Sequence, residues 1–353
     1  MQDVKREASA SLFFRHIRRR KMYKKWIRVI AIFVLAIILF TGAIRVDNYN
    51  QSIINSTIVS DEDDLHLWEQ GQILYKGDKY QYKNNIKTYL LMGIDSMEEV
   101  TPKDGEANGG QSDALFLLIV DDEEKQWSII AVNRNTMTGV SLYDENGEYL
   151  WDMYAQICVQ HGFGDGMEQS CERTVQTLSR TLYDLPIDGY FSINMGAIPA
   201  FNDALSGVNV TSMDEIDMPE IGVRICEGDS VTLKGMQAWG YLVWRDESQP
   251  DSATRRLERQ KQYIKSAYSQ LSDCSITEKL DIINKALDIT HKYTVIDMPV
   301  VDIGYQILLF EKNLDEIYSL PGVEVAGDRF VEYYLDEEKT LEMLIDTYYT
   351  KVN

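Results

Sequence analysis

The chain's 353 residues are enough for one large domain or two modest ones plus a tail, and a hydrophobic content of 44% is ordinary for a protein with a real core. The net charge of −21 is unevenly placed: residues 1–28 carry ten Lys or Arg against two Asp or Glu, a balance of +8, which leaves −29 on residues 29–353. So acidic a body argues against nucleic acid as a partner, because binding a polyphosphate needs a basic face.

The positive charge comes first. Residues 1–25 read as a basic cytoplasmic tail containing Arg18-Arg-Arg-Lys21, and residues 26–44 as a transmembrane helix built on the apolar run from Val29 to Phe40. With Trp26 and Ile27 at its mouth, the segment approaches the ~20 residues that cross ~30 Å of hydrocarbon. A basic flank stays cytoplasmic, so the expected location is the plasma membrane, single-pass, with the C-terminal domain extracellular. The stretch of about 25 residues before the run is long for a signal peptide and no Ala-x-Ala site follows closely, which argues for an uncleaved anchor. Residues 45–85, with the acidic run Asp61-Glu-Asp-Asp64, read as a solvated stalk, and residues 86–353 as the folded extracellular domain.

That domain opens on three short apolar runs bounded by polar residues or glycine, the pattern of buried neighbouring strands: Lys87 to Ile94, Ala114 to Val120, and Trp127 to Val132. Asp95 falls just past the first, Asp113 just before the second and Arg134 just past the third. If the middle strand runs antiparallel to its neighbours, all three side chains gather at one edge. Two carboxylates there could hold a hard divalent cation, with a guanidinium facing a phosphate across it. Asp also caps ordinary turns, so each acid has a purely structural reading.

Further on, Val175, Leu178 and Leu182 have helical spacing, Pro186 closes that region, and Tyr190 to Asn194 reads as a strand. Ile198 to Leu205 suits a helix, stopped at Gly207 before a strand over Val208 to Val210. Thr254 to Leu271 and Lys279 to Ile289 are expected helices, and the end of the chain reads as a strand, a turn and a closing helix over Lys339 to Tyr349. Strands alternating with helices argue for an α/β fold with a largely buried sheet.

Several catalytic patterns are absent: no Gly-x-x-x-x-Gly-Lys, no His-Glu-x-x-His and no Gly-x-Ser-x-Gly. The four histidines are too scattered for a zinc site. Arg245, Arg255, Arg256 and Arg259 lie within fifteen positions. On a helix, Arg256 shares a face with Gln260, and Arg255 with Arg259. They suit either a solvated helix or a fork of guanidiniums on a diphosphate. Cys158, Cys171, Cys226 and Cys274 all fall on the expected outer side, and three pairings are possible if all are bridged. Cys158 and Cys171 flank a glycine-rich connection, and a disulfide between them is expected, worth about 3 kcal/mol in the chain-entropy model.

Leu91-Met-Gly-Ile-Asp95, Gln111-Ser-Asp113 and Arg134-Asn-Thr136 together resemble the LytR-CpsA-Psr (LCP) family of cell-wall glycopolymer transferases, whose corresponding segments are Leu-x-Gly-x-Asp, Arg-Ser-Asp and Arg-Asp-Thr. The likeness continues through Pro186-Ile-Asp-Gly-Tyr190, Gly235-Met-Gln-Ala238 and Arg256-Leu-Glu-Arg-Gln260. It implies a central mixed sheet flanked by helices that enclose a tunnel for a polyprenyl tail. It also implies a phosphotransferase using Mg2+, which moves a glycopolymer from a polyprenyl diphosphate carrier onto peptidoglycan. On this reading Asp95 and Asp113 hold the metal, Arg134 and Arg245 act in catalysis, and Arg256, Gln260 and Arg259 bind the diphosphate. Three positions depart from the family pattern: Gln111 and Val243 stand where it has Arg, and Asn135 where it has Asp. Because one positioned donor can be worth on the order of 10²–10³ in rate, these departures support an alternative. That alternative is a non-catalytic polyprenyl-phosphate-binding or regulatory cell-envelope protein.

Overall fold

The computed structural model describes residues 66–352, apart from residue 70, residues 104–107, 122, 124, 145, 247, 250, 300–313, 315 and 328. The expected tail and transmembrane segment lie outside the described residues, and among those described no helix is long and apolar enough to cross a membrane.

The end of the expected stalk is folded. β1 (His66–Glu69), β2 (Gln72–Tyr75) and β3 (Asp78–Tyr82) form an antiparallel sheet whose fourth strand is β18 (Tyr349–Val352), the last element of the chain. Ile73 and Tyr75 alternate inward and pack on Ile345. A run this polar therefore folds only because the far end of the chain supplies both a strand and an apolar cover.

The three apolar runs become β4 (Ile86–Ile94), β5 (Ser112–Asp121) and β6 (Gln126–Val132), antiparallel to one another. They are apolar on both faces because both are covered. One face carries Leu90, Met92, Leu115, Leu117 and Ile130 against α1 (Glu168–Thr181), with its Leu178. The other carries Tyr89, Phe116, Leu118 and Ile129 against Leu257 and Tyr268 of α4 (Ser252–Asp273). Trp127 meets the Tyr268 ring edge to face at 4.7 Å.

Between β6 and α1 the chain makes an antiparallel hairpin, β7 (Met137–Tyr143) with β8 (Tyr149–Gln156), and a 3₁₀ turn over Ile157–Phe163. β9 (Gly189–Asn194) then returns parallel to β4. After α2 (Ile198–Ala204), β10 (Val208–Thr211) pairs with β13 (Ser230–Leu233), and β11 (Ile216–Met218) with β12 (Val223–Ile225). These small ladders share a core with α3 (Met236–Val243) through Val208, Ile216, Leu233 and Tyr241.

After α4 come α5 (Ile276–Tyr293) and β14 (Thr294–Asp297), antiparallel to β9. β15 (Ile317–Ser319) runs parallel to β6, and β16 (Gly322–Ala326) makes a hairpin with β17 (Val331–Leu335) before α6 (Glu337–Tyr348). The central sheet has the order β14-β9-β4-β5-β6-β15, six strands of mixed direction with helices on both faces. That is the α/β architecture expected from the sequence; the β7–β8 and β16–β17 hairpins were not.

Candidate active site

The site lies where β4 ends, β5 begins and β6 ends. The register pairs Ile94 with Ser112 and Leu115 with Val132, so Asp95, Asp113 and Arg134 come to one edge of the sheet. Asp95 is held by the loop returning to β5: Gln111 N donates to its Oδ1 at 2.6 Å, and Asp95 N donates to Gln111 O at 3.0 Å. The closeness needs Gly110, which has φ +80°; a Cβ there would lie 2.8 Å from Ile94 Cγ2 and 3.1 Å from Asp95 Oδ1.

Asp113 sits between two guanidiniums, Oδ1 3.0 Å from Arg134 Nη2 and Oδ2 3.1 Å from Arg256 Nη1. Arg256 reaches it from the first turns of α4, which lies across this face of the sheet. Arg134 Nη2 also donates to Gln111 Oε1 at 2.5 Å and contacts Cys158 Sγ at 3.0 Å, while its Nε is buried without a partner among the described residues. Arg245, just past α3, is half-buried.

The electrostatics are those of crowded cations around one carboxylate. Burial pushes the Arg256 pKa down against the pull of Asp113, and the charges of Arg134 and Arg245 push it further. Arg134 is raised despite its burial, with Cys158 and Asp113 acting in that direction. Burial raises the Cys158 thiol and keeps it neutral, so Asp113 is the partner that supplies negative charge. Asp95 is also raised, first by partial loss of water and then by the neighbouring Asp113, against the Gln111 N–H bond. Arg256 is thus close enough to feel both Arg134 and Arg245, and Asp113 is the carboxylate it shares with Arg134.

Other expectations need correction. Arg259 does not join this cluster. It is buried against α3 and the small ladders, its Nη1 paired with Asp214, its Nε donating to Tyr241 O at 2.9 Å and its Nη2 to Trp244 O. With those donors used internally, it holds α3 and the small ladders to α4. Gln260 is half-buried, and its Nε2 donates to Leu242 O at 3.3 Å.

The Cys158–Cys171 disulfide is not formed: both are buried free thiols, as Cys226 and Cys274 are also free. The Cys158 thiol is turned to Arg134, whereas Cys171 lies on α1 with its Sγ 3.8 Å from His161 Nε2. Asn135 is buried, its Oδ1 accepting from Gln156 Nε2 at 2.8 Å, and Val243 ends α3 half-buried.

Cys158 as a neighbour of Arg134 was missed by sequence reasoning. It arrives only because the β7–β8 hairpin brings the chain back, with Ile157 N donating to Thr136 O at 2.8 Å and Cys158 N to Arg134 O at 3.2 Å.

The carboxylates suit magnesium in one specific way. Mg2+ commonly takes one or two carboxylates and fills its octahedron with water and substrate phosphates. Asp95 and Asp113 are close enough that one raises the pKa of the other, and each Asp113 oxygen, with one guanidinium donor, keeps a lone pair. Among the described residues no group of three or more His, Cys, Asp or Glu is placed to hold a metal, so the remaining ligands would come from phosphate and water.

A model of the LytR_cpsA_psr family matches residues 52–346. A Halalkalibacterium halodurans protein named polyisoprenyl-teichoic acid–peptidoglycan teichoic acid transferase TagU is 26% identical over 198 residues, 56% of this chain. The chain spans 57% of that relative's length. The Bacillus licheniformis protein of the same name is 25% identical over 254 residues, 71% of this chain and 73% of that one. Among solved structures, Bacillus subtilis TagV aligns with a TM-score of 0.57 at 18% identity, covering 75% of this chain and 98% of that chain. At that identity the likeness speaks for the fold alone.

Proposed function

This chain belongs to the LytR_cpsA_psr family, and from that premise we propose that it is a phosphotransferase that moves a glycopolymer from a polyprenyl diphosphate carrier onto peptidoglycan. The observation that carries the reading is the pairing of Arg134 and Arg256 on Asp113, with Asp95 beside it and Arg245 near Arg256. A diphosphate is the ligand whose charge such a group suits, and planar guanidiniums bind its oxygens in pairs.

In the reaction, an acceptor sugar hydroxyl attacks the phosphorus that carries the glycan. The bond from that phosphorus to the bridging oxygen breaks, polyprenyl phosphate leaves with the oxygen, and the hydroxyl's proton passes to solvent water. Arg134 and Arg256, aimed by Asp113, hold the diphosphate in line and neutralise charge growing on the leaving phosphate. Arg245 adds a third positive group, and Gln111 keeps the Arg134 fork oriented. Asp95 and Asp113 would hold magnesium, which when bound would supply further positive charge to the diphosphate. The same reading has residues 26–44 anchor the chain in the plasma membrane, with the site outside the cell.

The test is transfer from a synthetic polyprenyl-diphosphate glycan to peptidoglycan by the full chain in detergent, with and without Mg2+. Magnesium-dependent product, lost on Arg134→Ala, supports the reading. Tight binding of polyprenyl phosphate with no transfer at any magnesium concentration favours a lipid-binding protein instead. The observation behind that rival is Gln111, a neutral amide against Arg134 where a further cation would add to the field.

A further inference from the structure

We propose that the cleft between the β7–β8 hairpin and the start of α1 is a glycan-binding groove that holds the acceptor polymer beside the charged site. This rests on the transferase reading and adds to it the place of the second substrate.

The hairpin is rooted in the site, since its two ends adjoin Arg134 and Cys158 through the Thr136 and Arg134 carbonyls. Its outer strand, β8, exposes a run of large side chains unlike an ordinary surface strand: Tyr149 is 55%, Trp151 57% and Tyr154 64% exposed. Trp151 and Tyr154 stand on opposite faces of the strand, and it is the Trp151 face that borders a cleft.

Beside the ridge is a cleft of about 510 Å³, walled by Leu150 and Trp151 and edged by Asp144, Asn146 and Gln169. Its base is held in place. Arg173 is almost completely buried, stacks 3.6 Å from the Tyr143 ring centroid and donates to Phe163 O. Asp144 Oδ1 accepts from Asn146 N at 2.9 Å and Glu148 N at 2.8 Å, which fixes the turn. Lys103 lines both this cleft and a neighbouring one of about 390 Å³ that contains Asp95, so the two adjoin.

A pyranose ring presents a C–H face and a rim of hydroxyls. An indole beside amide and carboxylate groups matches both, and this mixture of apolar wall and few polar groups is how small-ligand pockets gain orientation. A lipid surface suits the groove less. Its polar edge has no use for acyl chains, and the −29 balance of residues 29–353 is repelled by anionic headgroups.

The test is calorimetric titration of the full chain in detergent with peptidoglycan glycan strands stripped of their peptides, with no donor present. Saturable binding is expected, weakened at least about tenfold by Trp151→Ala, a typical loss for an aromatic anchor. In the transfer assay, Trp151→Ala should raise the acceptor KM and leave kcat and the donor KM alone. If the wild type binds strands but transfers nothing, the transferase reading fails and the groove stands. If it transfers and Trp151→Ala binds strands as the wild type does, the groove alone is overturned. Protection of β8 amides from hydrogen exchange by phosphatidylglycerol vesicles, with none by glycan strands, assigns the ridge to a lipid surface and overturns it too.

Discussion

Two aspartates in this chain each lie between two arginines, and α4 contributes to both clusters. Asp113 holds Arg134 and Arg256, while Asp214 holds Arg255 and Arg259. The chemistry is the same; the closure is not. The side chains of Asp214 and Arg259 are 6% and 1% exposed, with Arg255 on the rim at 48%, and Arg259 also donates to the Tyr241 and Trp244 carbonyls. Those of Asp113 and Arg134 are 27% and 14% exposed, and Arg134 keeps a buried Nε without a partner among the described residues. An Arg–Asp–Arg cluster with a buried carboxylate and an inner guanidinium tied to backbone carbonyls is a brace. One that leaves donors over beside an open edge can bind an anion.

The largest effect should fall on the closed cluster. Arg259→Ala leaves a buried carboxylate short of a partner and orphans two carbonyls, so it should cost about 3–5 kcal/mol of stability, read by urea denaturation. A variant of normal stability that has lost transfer would exchange the two assignments.

Next is the open cluster. Arg134→Ala should cut transfer at least 10²-fold, or about 2.7 kcal/mol in the barrier, with a stability loss smaller than that of Arg259→Ala, because Asp113 retains Arg256. Lys should rescue it poorly, since an ammonium cannot reproduce the planar fork. Near-normal transfer by Arg134→Ala would remove the distinction between the clusters.

A smaller effect sharpens the open side. Partial loss of water and the Asp113 charge raise the pKa of the exposed Asp95, so its ionisation slightly costs the folded state above that pKa. The cost disappears below the ordinary carboxyl value of about 3.9, where both folded and unfolded chains hold the proton. Asp95→Asn keeps an oxygen for the Gln111 N–H. It should raise the Tm slightly near neutral pH but not in acid, while making transfer less responsive to magnesium. A Tm lowered at neutral pH would show that the ionised carboxylate stabilises the fold.

The smallest effect concerns Cys158. Cys158→Ser keeps a polar neighbour for Arg134 and should change stability by about 1 kcal/mol or less. Non-reducing peptide mapping should recover both Cys158 and Cys171 as free thiols; a linked peptide would contradict the turned-away side chains.

What the sequence determined by itself was local or carried by order along the chain. β4, β5 and β6 were legible because unbroken apolar runs of strand length bury both faces, and antiparallel neighbours bring Asp95, Asp113 and Arg134 to one edge. α4 was expected as a helix over Thr254 to Leu271. Only the tertiary structure decided which way its arginines face. Arg256 and Arg259 are three residues apart on one helix, yet one meets the sheet and the other meets the small ladders. β1 to β3 escaped for a related reason, because their cover and their fourth strand come from the chain's last residues. The Cys158 thiol was equally out of reach: a glycine-rich stretch between two cysteines is compatible with a bridge, but hairpin pairing turns one thiol to Arg134. Period and composition report burial along a segment, whereas a side chain's partner depends on contacts between segments that no local pattern encodes.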